Sequence, residues 1–345
     1  MNYFKLFSTL LLFSILFQAC KKDNSIVPAQ TKKDVYLAGY ISDASLTKTS
    51  AAFWKNNTIT ILDNSAGNSK ANGILLSGND VYVVGTIADI NYTREIAVYW
   101  KNSIAIPLSG NLNYANGTAL TVNGKDIYVA GQEQQQGDWR YVAKYWKNGT
   151  PVVLGDISNT SYANSIVIVG NDVYVAGTEG DGTISVAKYW KNGVAINLSN
   201  GANWANAYSV FVNGNDVYVA GEEYSNNGNR IAKYWKNGIP VLLGDASKNS
   251  MATSITIAGN DIYVSGTEYT NGPSTAKLWK NGTSIDLTGA ADGGYGNASY
   301  ISGADTFIAG SVYETGTHAA YWKNGIRTIA DTSSLQTEAN GIFVK

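Results

Sequence analysis

The chain is written seven times over. A segment of the form Asp-Val-Tyr-Val-Ala-Gly starts at Asp34, Asp80, Asp126, Asp172, Asp216, Asp261 and, degraded, at Asp305, which sets a repeat of 44–46 residues. A tryptophan follows each one, at Trp54, Trp100, Trp146, Trp190, Trp235, Trp279 and Trp322, mostly inside Tyr-Trp-Lys-Asn-Gly. A unit this short cannot bury a core alone and must stack on its neighbours, so the array is read as one body rather than as two or three domains.

Within one repeat the sequence alternates between β-rich runs and turn signals. In the fourth, residues 165–169, 173–177, 187–191 and 194–198 are strand candidates, with Gly170-Asn171-Asp172 and Asn192-Gly193 as tight turns. Asn-Gly between β-rich runs signals a type I′ hairpin, because both central residues need positive φ. Four short strands and their turns use up the whole period. The expected fold is all-β, a seven-bladed β-propeller with four strands per blade.

The two ends of the repeat region supply the phase. It opens on Asp34-Val-Tyr with no Ala-Asn-Ser-Ile strand before it, and that strand stands instead at Ala339-Asn-Gly-Ile-Phe-Val-Lys345. The C-terminal strand is therefore expected to complete the first blade beside residues 34–39 and close the ring, leaving no long unpaired edge.

Composition agrees with a packed, turn-rich β body. Hydrophobic residues make up 44% of the chain and charged ones 15%, and glycine (36) far outnumbers proline (5). Lysine plus arginine (25) balance aspartate plus glutamate (26), and without a basic stripe no nucleic-acid partner is expected.

Residues 1–19 lie outside the repeats and form a targeting segment. Lys5 gives a positive start, residues 6–17 are apolar but too short to span a bilayer, and Phe17-Gln-Ala-Cys20 ends the segment at the only cysteine. This arrangement resembles a bacterial lipoprotein signal, although Phe17 and Gln18 replace the usual aliphatic and small residues. The resemblance implies lipid attachment at Cys20; the alternative is an ordinary secretory signal with an incidental cysteine. Residues 20–33 then read as the lipidated cysteine and a flexible tether, and residues 34–345 as the propeller. Lys21 in place of aspartate, with the charged run Lys21-Lys-Asp23, points to the outer membrane, facing the cell surface in preference to the periplasm.

The repeat motif itself is shown best by Ala187-Lys-Tyr-Trp-Lys-Asn-Gly193 and Ala232-Lys-Tyr-Trp-Lys-Asn-Gly238. It resembles the HAF family of bacterial extracellular repeats over roughly residues 34–345. Asn56-Asn57 and Asn102-Ser103 depart from the Asn-Gly turn. The resemblance implies a secreted or surface location and no particular activity.

Residues repeated at every blade are what folding requires, whereas a single site must use residues that differ between blades. The seven tryptophans are accordingly read as packing between blades rather than as seven ligand sites. Topology sends the tight turns to one face and the variable connections to the other. The variable set comprises Tyr92, Arg94, Trp139, Arg140, Tyr141, Tyr224, Arg230, Tyr269, Tyr313 and His318, then Tyr114, Tyr162, Trp204, Tyr208 and Tyr295. Trp139, Arg140, Tyr162, Trp204, Tyr208 and Tyr224, from the third to fifth blades, form the candidate ligand patch, since aromatic and arginine side chains suit glycan or protein surfaces. Two further features are expected near the channel mouth. Glu133, Glu179, Glu223 and Glu268 gather a cation or end in solvent, and Asn72, Asn116, Asn164, Tyr208, Thr253, Ser299 and Asn340 form a polar, water-filled ring.

Catalysis has little to draw on. His318 is the single histidine, Cys20 is assigned to the anchor, and no Gly-rich phosphate loop joins a strand to a helix. No catalytic residue, metal or cofactor is assigned. The expectation is a monomeric, lipid-anchored, non-catalytic binding module for an extracellular glycan or protein, touching the membrane through its lipid alone. A structural or assembly scaffold of the envelope and a glycan-directed hydrolase or lyase are the alternatives.

Overall fold

Each repeat folds as four antiparallel strands, twenty-eight among the described residues, numbered β1–β28 in chain order. The structure is a computed structural model that describes residues 33–345 except 90, 92, 93, 111–113, 290, 332 and 334; the targeting segment, Cys20 and Tyr92 lie outside the described residues. In blade 4, β12 (Thr160–Val169), β13 (Asp172–Gly180), β14 (Ser185–Lys191) and β15 (Val194–Asn197) pair in that order. The turns fall where the sequence puts them. The first two strands, however, run several residues further toward the loop face than expected, so Tyr162 is a strand residue rather than a loop residue.

Seven such sheets form the ring, and the closure follows the expected phase. The strand β28 (Thr337–Val344) pairs antiparallel with β1 (Val35–Ser42), with Val344 opposite Val35 and Thr337 opposite Ile41. With β2 (Thr49–Lys55) and β3 (Thr58–Ile61) it makes blade 1 from both ends of the repeat region. Asp34 and Lys345 extend the ladder by two backbone hydrogen bonds of 2.9 Å.

The letters of the repeat are explained by two packing devices. The first sits at the tight-turn end, where the third strand turns into the fourth. Asn192 and Gly193 have φ of 51° and 82°, the positive pair a type I′ turn demands. The asparagine also bonds inward: Val173 N–H donates to Asn192 Oδ1 at 2.9 Å, and Asn192 Nδ2 donates to Asp172 Oδ1 at 2.8 Å. Lys191 Nζ meets the other Asp172 oxygen at 2.9 Å and lies 5.2 Å over the Tyr174 ring. Asp, Tyr, Lys and Asn are thus one clasp, and its hydrogen bonds hold the aspartate below the ordinary carboxylate pKa range. The departures from Asn-Gly keep the same turn, since φ is 48° and 71° at Asn56-Asn57 and 49° and 67° at Asn102-Ser103.

The second device holds the blades together. Each repeated tryptophan is buried and packs against the preceding blade: Trp190 against Tyr128, Ala130 and Ala143, Trp235 against Tyr174, Ala176 and Ala187. The inner strand of every blade carries a β-bulge opposite the repeated glycine, as between Ala163 and Ser165 opposite Gly177. A Cβ at Gly177 would collide with the Tyr162 carbonyl and stand 2.8 Å from Trp190 Cζ3, so the glycine is fixed by space rather than by φ.

Ser103 is the second residue of a turn that has glycine there in five blades. Its left-handed conformation costs about 1 kcal/mol for an L-residue, partly offset by the extra unfolded-state freedom of glycine. Ser103→Gly should therefore stabilise the propeller by a few tenths to about 1 kcal/mol. A urea melt that shows an equal or lower midpoint would contradict this account of the turn.

Candidate functional site

The long second-to-third-strand connections and the crossovers share one face, opposite the tight turns. The six candidate residues all reach this side, but they fall into two groups. Around blades 3 and 4, Trp139 stands on a hairpin tip and is 87% exposed. Its neighbour Arg140 pairs with Asp138 and also donates to the carbonyl of Ser158 in the crossover to blade 4. Gln135 holds the adjacent Ile157 carbonyl, so exposed Ile157 shares this supported edge. Tyr162, 38% exposed, stacks on Tyr141 at 5.9 Å.

The second group belongs to blade 5. Trp204, 46% exposed, leads into the inner strand β16 (Ala205–Asn213), and its carbonyl accepts the Tyr224 N–H at 2.8 Å. Tyr208 is not a loop residue. It lies within β16 and turns toward the ring axis, with Oη donating to Glu222 Oε1 at 3.0 Å. Asn206 Nδ2 donates to the same oxygen at 3.2 Å, and Arg230 Nη1 stands 3.9 Å from Oε2. Burial, then the negative charge of Glu222, pushes the Tyr208 phenol far above its ordinary pKa, so it stays a neutral donor. Arg230 also caps the Tyr269 ring at 4.6 Å, and the aromatic line continues through Tyr295 (6.2 Å) to Tyr313 (5.4 Å).

Glu222 escaped the sequence reading. It is 2% exposed, and Oε2 has no hydrogen-bond partner among the described residues. The residue after the repeated glycine is Tyr40, Thr86, Gln132, Thr178, Glu222, Thr267 or Ser311, so Glu222 is the single carboxylate in that set. Thr86 and Thr178 reach the next blade's Asn116 (2.9 Å) and Asn206 (3.3 Å). The corresponding residue after Glu222 is Met251, which offers no donor.

The polar ring needs correcting at two places. Its members are the residues bypassed by the bulges: Asn72, Thr118, Asn164, Tyr208, Thr253, Asn297 and Asn340, with Thr118 and Asn297 where Asn116 and Ser299 were expected. It is also more than a water-filled lining. Six members donate to a backbone carbonyl of the next blade, at 2.6–3.0 Å: Asn72 to Gly117, Thr118 to Ala163, Asn164 to Ala207, Thr253 to Gly296, Asn297 to Ala339 and Asn340 to Ala71. Tyr208 breaks the sequence. At the ring and toward its tight-turn side lies an axial cavity of about 290 Å³, in which Tyr208 is the one aromatic lining residue.

The four glutamates neither gather nor end free in solvent. Each pairs with a lysine of the same blade: Glu133 with Lys144 (2.6 Å), Glu179 with Lys188 (2.8 Å), Glu223 with Lys233 (2.5 Å) and Glu268 with Lys277 (3.6 Å). These lysines are nearly buried beside the tryptophans, so the pairs belong to the blade interfaces. No group of three His, Cys, Asp or Glu side chains able to hold a metal occurs among the described residues.

No family model matches the chain, and no curated protein does. Among solved structures, the chain is similar to the acylaminoacyl peptidase of Pyrococcus horikoshii at 12% identity and a TM-score of 0.51. That match covers 87% of this chain and 50% of the peptidase, so the chain spans half its length. It is also similar to the β-propeller domain of the Trilobed protease from Pyrococcus furiosus, at 10% identity and a TM-score of 0.55, covering 87% and 93% of the two chains. At these identities the likeness is one of fold. That domain is described as having an open velcro topology, whereas here β28 and β1 pair.

The two classes of tryptophan should separate in stability. Trp190→Ala removes a buried inter-blade ring and should cost about 3–5 kcal/mol. Trp204→Ala, on the loop face, should cost under about 1 kcal/mol, as surface changes do. Equal losses in denaturant melts would place Trp204 in the core.

Proposed function

We propose that this protein is a lipid-anchored envelope propeller that binds an extracellular glycan or protein on its loop face without turning it over. The observation that carries the reading is the distribution of difference. The tight-turn face repeats one Asp–Lys–Asn clasp, while the loop face presents exposed Trp139, Ile157, Tyr162 and Trp204 at blades 3 to 5 and does not repeat the set elsewhere among the described residues. Exposed aromatics on a supported hairpin, a strand and a crossover offer apolar area with little ordering cost, and Arg140 adds directed donors.

Attachment is consistent with that orientation. Lys33 Nζ bonds to the Ser302 carbonyl (2.5 Å) and Asp305 (3.0 Å) at a tight turn, so residue 33 lies at the ring's side away from the loops. Cys20→Ser should abolish metabolic labelling by radioactive palmitate; continued labelling would remove the lipoprotein claim. The fold likeness to peptidase propellers leaves a hydrolase reading open, and product analysis decides it.

The functional test is binding of the detergent-solubilised full-length protein to arrayed surface polysaccharides and matrix proteins. Trp139→Ala with Trp204→Ala should weaken whatever binds by about tenfold or more, with unchanged melting. Shortened or unsaturated sugars released by the pure protein would overturn the non-catalytic reading. Binding untouched by the double variant would move the contact away from blades 3 to 5, and no binding at all would favour the scaffold.

A further inference from the structure

We infer that the axial cavity at the inner polar ring is a binding pocket for one neutral sugar unit, with the Tyr208 ring as its platform. The inference rests on the binding-module reading and names the ligand class and the place where it is held. Three observations converge on one blade junction.

The first is the broken ring. Six bulged residues are asparagine or threonine and donate to the next blade, which marks that bond as part of the fold. At blade 5 the bond is given up and a phenol ring is brought to the cavity in its place. The second is the support beneath it. Glu222 is almost wholly buried, spends one oxygen on Tyr208 and Asn206, and leaves the other 3.9 Å from Arg230 Nη1 with no hydrogen bond among the described residues. A buried carboxylate with an incomplete shell is costly, and no other blade carries it. Two departures that each disfavour folding meet at the same side chain, which is where a functional constraint is expected.

The third is the chemistry of the wall. The cavity is lined by amides, hydroxyls, small residues and the aliphatic Ile74, Leu120, Ile166 and Ile342, and no charged side chain is among the lining residues. That selects against ions and for a ligand whose hydrogen-bonding groups are neutral and many. A flat aromatic face receives the C–H face of a sugar, while asparagine and serine groups meet its hydroxyls. At about 290 Å³ the space beside Tyr208 takes one sugar ring, and it shares Ile74, Leu120, Ile166 and Ile342 with a further axial cavity of about 700 Å³ toward the tight turns, so a glycan would present its terminal unit to Tyr208. Glu222 acts through Tyr208 as a positioning residue.

The test uses the repeat's own rule. Tyr208→Asn places the residue of blades 2, 4, 7 and 1 at this junction, and Tyr208→Thr that of blades 3 and 6. The full-length protein is titrated with methyl glycosides of glucose, galactose, mannose and N-acetylglucosamine, and with tetramethylammonium chloride and sodium phosphate as charged probes. At least one glycoside should bind wild-type protein, detected by saturation-transfer NMR and calorimetry. Both variants should bind it about tenfold more weakly or less while still melting cooperatively, because the restored inter-blade bond offsets part of the hydrogen bond lost at Glu222. Equal glycoside binding by variants and wild type, binding of a charged probe alone, or no glycoside binding would each overturn the inference. In the last case a polysaccharide or matrix protein held through Trp139 and Trp204 leaves the binding-module reading standing, whereas loss of every ligand removes both.

Discussion

Everything in this ring depends on a tryptophan laid over a strand glycine. The inner-strand bulge pushes a carbonyl against the second strand, and only glycine leaves room for it. The same missing side chain lets Trp146, Trp190, Trp235, Trp279 and Trp322 bring Cζ3 to 2.8–3.2 Å from where a Cβ would stand. The ring then reaches the preceding blade and fills its interface. Bulge, glycine and tryptophan are one device, and none can change alone. The bulge also turns its bypassed side chain toward the axis, so the device that spaces the blades creates the inner ring of donors.

Above the tryptophan, the interface is completed in two interchangeable ways. Blades 3 to 6 place a Glu–Lys pair there, capped at Glu179 by the Asp156 N–H at 3.0 Å. Blades 1, 2 and 7 have Ile41 with Ala52, Ile87 with Val98, and Val312 with Ala320 at the same two positions. Both partners change together, as expected where leaving one buried charge unpaired is far worse than either complete solution. The glutamates were visible in the sequence as a partial repeat. Their meaning needed the lysine two residues before the tryptophan, whose presence in the same four blades is the signal that a search for cation ligands passes over.

Fold was legible because each of its constraints is written seven times: the I′ turn in Asn-Gly, the phase in the residues at the two ends of the array, the stacking in the tryptophan. The upper strand ends were harder to read. Tyr162, Tyr208, Tyr224 and Tyr269 sit on strands that outrun their repeat signature, since the pairing there is backbone to backbone and indifferent to side chains. The polar ring failed for a geometric reason. Ala115-Asn116-Gly117 imitates Ala71-Asn72-Gly73 in letters, yet Ala71 and Gly117 are the equivalent positions, each opposite the repeated glycine. A slip of two residues keeps every side chain on its own face, so alternation cannot detect it; only a slip of one would.

The candidate site was legible as a region and not as a geometry. Trp139 and Trp204 stand out as tryptophans off the repeat, and both are exposed, but no contact between their two groups is needed to build either. Glu222 was hidden by Glu223 beside it, which follows the four-blade pattern and draws the eye. The more telling comparison is between equivalent positions rather than between residue types. A propeller repeats its solution to stacking so faithfully that a position which is asparagine or threonine in six blades and tyrosine in one carries more information than the tyrosine content of a loop. Symmetry supplies the reference state here: six copies state what the fold asks of that position, and the seventh states what else is asked of it. At blade 5 that is a phenol held at the axis by a buried carboxylate, in place of a bond between blades that the rest of the ring keeps.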